Sequence, residues 1–410
     1  MRTMWSSILL PTILVGLIYK FARVRNGYYP VDIVEKLRDA TMPNVTAWMN
    51  KKIAASTNNK CTLENAAVRK EWSDLTVPER EEYTRAVTCL TKLPATASKI
   101  KFPGAVSRYD DFVAYHMTHA AQLHDNIHLF AAHKYYVWVF EQALRNECNY
   151  TGYQPYMNYD RYAQDPINSP LFNGNASSLG GNGAPDPTYR GIQQAGRTPN
   201  IIKSGGGGGC VTEGPFKDML ISLGPVSPMA KNIPPNPLAN GTGSNPRCLR
   251  RDVNRNAAMG ATADRMYNLL MEKSIDGFYN KLLGNPSPKN DPYPWGIHTA
   301  GHYIAGLDPG GDPSTSPGDP AFYFHHGALD RLWWIWQMQD PDTRLNAVPG
   351  AGPMPDMPGM NHGGGKFRRQ SQTDPSKAMI DLDFLAPPIK LFEANDQLGG
   401  NNGLFCYIYV

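Results

Sequence analysis

Apolar and polar positions follow helical spacing over two long blocks in the first part of the chain. Residues 26–100 carry this pattern, and a helix start signal stands in the segment Leu75-Thr-Val-Pro-Glu-Arg-Glu-Glu. Pro78 lies in the first turn of that segment and acidic residues follow it, as is typical of a helix N-terminus. Residues 108–148 form the second block, which is strongly helical. Both blocks predict helices rather than strands.

The second half of the chain alternates between loops and helices. Residues 165–248 are rich in glycine and polar residues and are predicted to be loops. A helix is predicted from about Asn254 to Leu283, residues 285–294 break it, and residues 297–340 return to order. Short strand-like pieces are predicted over residues 380–410. The 38 glycines and 35 prolines indicate long ordered loops around a core.

The bulk composition is that of a folded protein. Hydrophobic residues make up 41% and charged residues 19% of the 410 residues, far from the composition of disordered chains. This length allows one large core or two ordinary domains. The formal net charge is only +4, and lysine and arginine are scattered. No nucleic-acid partner is therefore expected.

The N-terminal segment contains an apolar run from Trp5 to Tyr19, with basic residues on both sides. About 15 apolar residues are fewer than the ~20 that a membrane-spanning helix needs. The run fits a secretory signal, yet no small-x-small cleavage site follows. Residues 1–25 are therefore expected to be a signal peptide or an uncleaved membrane anchor. The basic flank after the run would favour a cytosolic body, but two other features favour the opposite.

Those two features are glycosylation triplets and cysteines. N-glycosylation triplets begin at Asn44, Asn149, Asn175 and Asn240. The six cysteines are even in number and include no CxxC pair, which predicts three disulfides in an oxidising compartment. The body of the protein is therefore expected in the secretory pathway, either secreted or membrane-anchored with a lumenal or extracellular domain.

Nine of the ten histidines fall into two short segments. They are His116, His119, His124, His128 and His133 in the first segment, and His298, His302, His325 and His326 in the second. A lone histidine is usually a core or surface residue, but two clusters that can each supply three ligands predict metal binding. Three neutral imidazoles with open positions suit copper or catalytic zinc. Because the two clusters must meet in space, residues 26–410 are expected to form one domain.

The second cluster has helical ligand spacing. His298 and His302 are four positions apart, which places both imidazoles on one helix face. A third ligand can come from the next helix, which carries His325 and His326. Adjacent helical residues point about 100° apart, so only one of that pair is expected to face the metal.

The segment Gly318–Gln337, with Phe-His-His-Gly-Ala-Leu-Asp-Arg-Leu-Trp-Trp at its centre, resembles the second copper motif of tyrosinases, catechol oxidases and hemocyanins. The resemblance implies a mainly α fold: a four-helix bundle core carries a dinuclear metal site with three histidines on each metal, surrounded by long loops and a few short strands. It also implies that His326 is the ligand and His325 its neighbour. Asp330 resembles the carboxylate that fixes the arrangement behind the ligands.

The first site in this family has seven and then eight residues between its three histidines. His116, His124 and His133 meet that spacing, whereas His119 and His128 do not. His128 lies one turn beyond His124 and is expected near the cavity. The flanking residues and the closing Cys406-Tyr-Ile-Tyr segment resemble short fungal polyphenol oxidases without a C-terminal lid domain.

The resemblance implies a function. It predicts an oxidoreductase with two copper ions that uses dioxygen to oxidise a small phenol or catechol to an o-quinone in fungal secondary-metabolite biosynthesis. The residues just after two ligands of the second site, Thr299 and Tyr303, are expected to line the substrate entrance. Phe322 is expected to pack against ligand rings at the pocket.

The sequence departs from the family at the first site. The usual Trp-His-Arg is Ala132-His133-Lys134, and the usual Pro-Tyr-Trp-x-Trp is Pro155-Tyr-Met-Asn-Tyr159. Lysine is a point charge and cannot reproduce the bidentate fork of arginine. These changes motivate an alternative: a hemocyanin-like zinc protein that catalyses a non-redox, cyclopenase-like step in alkaloid biosynthesis.

Overall fold

A side-chain capping motif sets the start of the helix that begins at Val77. The computed structural model describes residues 29–55, 59–124, 127–193, 199–284, 291–350 and 374–410. The predicted helix start near Pro78 is confirmed, because Thr76 and Glu79 form a reciprocal capping box. The signal or anchor predicted for residues 1–25 lies outside the described residues. Within the described part, no helix has the length and apolarity needed to cross a bilayer.

The described residues form a mainly helical fold, as the resemblance implied. The α-helices are α1 (Ile33–Ala55), α2 (Val77–Leu90), α3 (Arg108–His124), α4 (Leu129–Cys148), α5 (Tyr159–Tyr162), α6 (Arg255–Ala258), α7 (Ala263–Leu270), α8 (Ile275–Leu283), α9 (Ile297–Ala305), α10 (Ala321–Met338), α11 (Pro341–Arg344) and α12 (Leu391–Asn395).

Four of these helices carry the histidine clusters: α3, α4, α9 and α10. Helix α10 packs against α1, α4 and α9, and α4 also packs against α3. Nearly every side chain of α10 is buried, as expected for a helix that is surrounded by others. The predicted helical block 108–148 thus consists of two helices, α3 and α4, that pack against each other.

The strands are short and lie around the helical core. They are β1 (Ala67–Arg69), β2 (Gly183–Pro185), β3 (Gly191–Gln193), β4 (Ile201–Lys203), β5 (Gly208–Val211), β6 (Leu220–Ile221), β7 (Arg247–Cys248), β8 (Met379–Ile380), β9 (Ile389–Lys390) and β10 (Tyr407–Tyr409). All described sheets have two strands. In the pair β1 and β10, which is parallel, Ala67 lies opposite Tyr407.

The predicted single helix from Asn254 to Leu283 is wrong, because the structure has three shorter helices, α6, α7 and α8. The backbone is extended at Thr262 and again at Ser274. The Ser274 hydroxyl oxygen accepts a hydrogen bond from the Gly277 backbone N–H at 3.1 Å and so caps a new helix. Helical periodicity continued across these points, but side-chain capping interrupts the helix.

All six cysteines form disulfides, which confirms the predicted number. The pairs are Cys61–Cys406, Cys89–Cys148 and Cys210–Cys248. One cluster of buried apolar side chains extends from Ile33 to Tyr409. This continuity supports the prediction of a single domain over residues 26–410, which stays a prediction.

We expect the disulfides to stabilise the fold in the order of the loops they close. Cys61 and Cys406 are 345 residues apart in the sequence, whereas Cys210 and Cys248 are 38 apart. When both cysteines of a pair are replaced with serine, chain entropy predicts that the free energy of unfolding falls by about 6 kcal/mol for the first pair and by about 4 kcal/mol for the second. Thermal unfolding of both double variants measures the difference. An equal or larger loss in the Cys210/Cys248 variant would contradict this order.

Candidate metal centre

The first group of histidines lies on α3 and α4 and presents one nitrogen from each ring. His116, His124 and His133 are buried, and the Nδ1 of each contacts a backbone carbonyl oxygen. The accepting oxygens are those of Ser314 at 2.8 Å, Ala120 at 2.7 Å and Leu129 at 2.7 Å. A carbonyl only accepts, so each Nδ1 carries the hydrogen and each Nε2 keeps a bare lone pair. These three Nε2 atoms can hold one ion.

The second group lies on α9 and α10 and contains four imidazoles. The candidate ligand atoms of His298, His302, His325 and His326 all lie within 4.8 Å of one another. The Nε2 atoms of His298, His325 and His326 are buried and have no hydrogen-bond partner among the described residues. The assignment of His326 as the ligand and of His325 as its neighbour stays a prediction. Both imidazoles reach the group from neighbouring positions on α10.

The two groups face each other across a shared interior. The rings of His133 and His326 stack at a centroid distance of 4.1 Å and an interplanar angle of 7°. The rings of His124 and His298 are 5.7 Å apart. A site built this way could hold two ions side by side, as a dinuclear centre requires.

Burial keeps these imidazoles neutral. It lowers the pKa of His116 to about 3 and that of His124 to about 4, chiefly because a charged ring loses its hydration. The same cause, with repulsion from neighbouring rings, lowers the pKa of the other site histidines well below the usual range. Neutral imidazole is the form that binds a metal ion.

Comparison of the chain with known proteins identifies its family. The sequence pattern of the common central domain of tyrosinase matches residues 106–339. The chain belongs to the tyrosinase family. Tyrosinase-like protein orsC of Emericella nidulans is 42% identical over 303 residues, which cover 71% of this chain and 79% of that protein. N-acetyl-6-hydroxytryptophan oxidase ivoB of the same organism is 32% identical over 380 residues, covering 87% and 96%.

A solved structure supports the same assignment. A variant of the polyphenol oxidase from Thermothelomyces thermophila superposes with a TM-score of 0.81 at 33% identity, covering 94% of this chain and all of that chain. The resemblance to fungal polyphenol oxidases is thus confirmed. Membership of the tyrosinase family implies a dinuclear copper centre. The donor set fits it, because imidazole suits copper and the unpartnered Nε2 atoms need an acceptor of their lone pairs.

Asp330 lies behind the ligands in a buried polar network. Its carboxylate accepts hydrogen bonds from the hydroxyls of Tyr407 at 2.8 Å and Tyr409 at 2.6 Å. The Lys134 Nζ lies 3.3 Å from the other carboxylate oxygen, and an Arg69 nitrogen lies 3.5 Å from Oδ2. The network joins α4, α10, β1 and β10. This geometry supports the predicted role of Asp330 in fixing the ligand helices, which stays a prediction.

Lys134 stands at the position where the family usually has arginine, and its side chain belongs to the Asp330 network. It is fully buried beside His133, its Nζ donates to the Asn395 carbonyl oxygen at 3.2 Å, and it lies 4.5 Å from the Trp333 ring centroid. Burial lowers the pKa of Lys134, and the nearby Asp330 opposes that shift. The substitution thus removes the second arm of a guanidinium but keeps the positive charge next to Asp330.

The predicted pocket residues fall into two sets. Phe322 lies between the two groups, with its ring centroid 5.3 Å from that of His116 and 4.3 Å from that of His326, and its role at the substrate pocket stays a prediction. Thr299 and Tyr303 are buried on α9 beside the ligands. Their role at the substrate entrance stays a prediction.

The two remaining histidines of the first segment lie outside both metal groups. His119 stacks on Tyr115 with ring centroids 4.4 Å apart. His128 precedes α4, is half-buried, and its side chain bonds to the backbone of Met379. Neither side chain is therefore placed to supply a ligand.

Sequence reasoning missed contacts that orient the rings. The Tyr159 hydroxyl bonds to Nδ1 of His325, and its only sequence signal was the departure from the family's Pro-Tyr-Trp-x-Trp. Gly301 leaves room for the same imidazole. The carbonyl oxygen of Ser314, which holds His116, left no signal, because every residue carries a carbonyl.

We expect the metal-free protein to lose stability in mild acid. An unfolded chain protonates its histidines near pH 6.5, whereas His116 and His124 in the folded state do so only near pH 3 and pH 4. Between these values the unfolded state binds more protons, so the free energy of unfolding falls as the pH drops from 6.5 to about 4. Thermal unfolding at stepped pH measures this. His124→Gln should reduce the slope, and a melting temperature that stays constant between pH 6.5 and 5 would contradict the expectation.

Proposed function

We propose that this member of the tyrosinase family oxidises a catechol or another phenol to an o-quinone at a dinuclear copper centre, with dioxygen as the oxidant. Two catechols would give four electrons and four protons to one dioxygen, leaving two o-quinones and two waters. The proposal rests on one observation: two facing groups of buried, neutral imidazoles that share one interior.

The chain would supply ligands and fix their geometry. His116, His124 and His133 would hold the first ion, and His298, His302 and His326 the second. When bound, the copper ions would supply the dioxygen binding and electron transfer that protein side chains cannot perform. The carbonyl oxygens on Nδ1 in the first group set which nitrogen binds and hold the rings in place before binding.

One of the grouped histidines is partly exposed. Of the seven grouped imidazoles, His302 alone keeps partial exposure, and the other six are buried. A substrate would therefore approach along the α9 side, where Thr299 and Tyr303 follow the ligands His298 and His302. Phe322 is buried between ligand rings, so it would shape the floor of the site and exclude water from it.

The cellular setting is part of the proposal. All four glycosylation asparagines, Asn44, Asn149, Asn175 and Asn240, are exposed. Exposed acceptor sites and three disulfides support a secretory-pathway protein, either secreted or membrane-anchored. One relative is named as an oxidase of N-acetyl-6-hydroxytryptophan. A hydroxylated aromatic of fungal secondary metabolism is the substrate class that we propose for this chain.

A zinc-dependent, non-redox reaction is the second candidate. Each group can supply three imidazoles, and three imidazoles with an open position suit catalytic zinc as well as copper. At a given imidazole site, copper binds more tightly than zinc, so copper is the first choice. The two candidates predict different metals in the purified protein.

The decisive experiment combines metal analysis with oxygen uptake. Protein purified from a host supplied with both copper and zinc should contain about two coppers per chain, the occupancy of a dinuclear site. It should also consume dioxygen when a catechol is added. Two zincs, no oxygen uptake and no o-quinone absorbance would contradict the oxidase and favour the zinc candidate.

A matched pair of histidine variants tests which residues hold the metals. His298→Ala removes a ligand of the second group and should lower the metal content from about two ions to about one, with loss of oxygen uptake. His128→Ala is the control, because its side chain bonds to the Met379 backbone outside both groups. It should keep both metals, and a loss of metal in this variant equal to that in His298→Ala would contradict the ligand assignment.

A further inference from the structure

One imidazole of the first group is held from outside its own helix. The Nδ1 atoms of His124 and His133 each donate at 2.7 Å to the carbonyl oxygen four residues earlier in the same helix. The Nδ1 of His116 donates at 2.8 Å to the carbonyl oxygen of Ser314, which is 198 residues away in the sequence. The orientation of the His116 ring therefore depends on a loop, whereas the other two rings depend on their own helices.

The carbonyl that His116 would use within α3 already has another partner. Phe112 stands four residues before His116, and its carbonyl oxygen accepts a hydrogen bond from the Tyr136 hydroxyl at 2.8 Å. A carbonyl oxygen has two lone pairs, and inside a helix one of them accepts a backbone N–H. Both lone pairs of Phe112 are thus in use, so the ring of His116 takes its acceptor from the loop that contains Ser314.

The carboxylate of Asp312 fixes the position of this loop. One of its oxygens accepts a hydrogen bond from the Ser314 backbone N–H at 2.9 Å. The other accepts from the backbone N–H groups of Val226 and Ser227, both at 2.7 Å. Asp312 is buried, which raises its pKa, and these N–H groups oppose that shift. Asp312 therefore ties the peptide unit that precedes the Ser314 carbonyl to a second loop.

The second loop is anchored in turn by a buried ion pair. The Arg247 guanidinium donates to the Gly224 carbonyl oxygen at 3.1 Å and pairs with the carboxylate of Asp308 at 2.6 Å. The two loops also touch directly, because a Cβ atom at Gly224 would lie 2.7 Å from Cγ2 of Thr315. The Ser314 carbonyl is therefore connected to a fixed support, which a ligand ring held by a loop requires.

We propose that Asp312 is a positioning residue for the first metal ion, because through the Ser314 carbonyl it sets the tautomer and the direction of the His116 ring. The proposal rests on the metal centre of the proposed function and is independent of the substrate. Asp312→Asn cannot reproduce the carboxylate, since the amide nitrogen donates and would face either the Ser314 N–H or the N–H groups of the second loop. The His116 ring would then lose its fixed acceptor, while the other two rings keep theirs.

The main test places Asp312→Asn in two backgrounds that each keep one histidine group intact. His298→Ala leaves the first group complete, and His116→Ala leaves the second. Copper and zinc are added separately to metal-free protein with a competing chelator, and bound metal is counted by native mass spectrometry. Loss of a contact behind a ligand typically weakens metal binding 10–100-fold. We expect Asp312→Asn to weaken the remaining ion by about that factor in the His298→Ala protein and to leave it unchanged in the His116→Ala protein.

A spectroscopic readout tests the same role without metal. In metal-free protein with ¹⁵N-labelled histidine, NMR distinguishes the tautomer that carries its hydrogen on Nδ1 from the one that carries it on Nε2. The unmodified protein should hold His116 in the Nδ1–H form, because the Ser314 carbonyl only accepts. Asp312→Asn should give a mixture of tautomers at His116 and leave His124 and His133 unchanged.

Asp252→Asn is the matched control. This buried carboxylate also accepts backbone N–H groups of a loop, those of Gly205 at 2.8 Å and Gly207 at 3.0 Å, and it lies outside both metal groups. It should change neither the metal affinities nor the His116 tautomer. Asp312→Glu is the second variant if Asp312→Asn does not fold, because it keeps the charge and displaces it by one methylene, and it should shift the same two readouts.

The outcomes separate this proposal from the proposed activity. Equal weakening of the remaining ion in both backgrounds, or an unchanged His116 tautomer with unchanged affinity in the His298→Ala background, would overturn the positioning role. A disturbed His116 tautomer and a selectively weakened first ion, in a protein that binds two metals and oxidises no catechol, would support the role while contradicting the activity.

Discussion

Seven grouped imidazoles, six of them on buried residues and five with a buried ring nitrogen that has no partner among the described residues, impose the main constraint on this structure. A buried polar atom without a partner costs about 1–3 kcal/mol, and a charged imidazole in the same place would cost more. The protein meets this constraint by using the other nitrogen of each ring in the first group: every Nδ1 donates to a backbone carbonyl oxygen. Each ring is thus fixed and neutral before any metal arrives. A bound metal ion would then accept the lone pairs of the unpartnered nitrogens and remove the free-energy cost of burying them.

The second constraint is that helices from two distant parts of the sequence must keep fixed positions relative to one another, because their histidines share one interior. Asp330 serves this purpose, since it connects α10 to Lys134 on α4 and to the tyrosines of β10. Arg69 joins the same network from β1, stacks over Tyr407 at 3.8 Å and pairs with Glu141 on α4. The buried positive and negative charges balance, which such a network requires to be stable.

Much of the site was predictable because histidines that bind one metal ion recur at characteristic spacings in the sequence. The pair His298 and His302 and the motif around His326 indicated the second group, and the family spacing indicated His116, His124 and His133, which the structure brings together. Helix geometry indicated that one residue of the pair His325 and His326 faces the metal, and the resemblance assigned His326, which stays a prediction. The close contact of the His325 ring with Gly301 on the partner helix left no sequence signal. The break at Ser274 was also missed, since a single serine cap can end a helix whose periodicity continues.

The link between β1 and β10 has a consequence for how the protein is made. Cys61 and Cys406 are separated by 345 residues, so a ribosome working at about 5–20 residues per second needs roughly 20–70 s to pass from one to the other. Until the C-terminal residues have been synthesised, the hydroxyls of Tyr407 and Tyr409 cannot bind Asp330, and β1 has no β10 to pair with. The ligand helices are already synthesised during the last part of this interval. A copper ion that met the nascent chain would find ligands without their support, so delivery of metal after synthesis suits this topology.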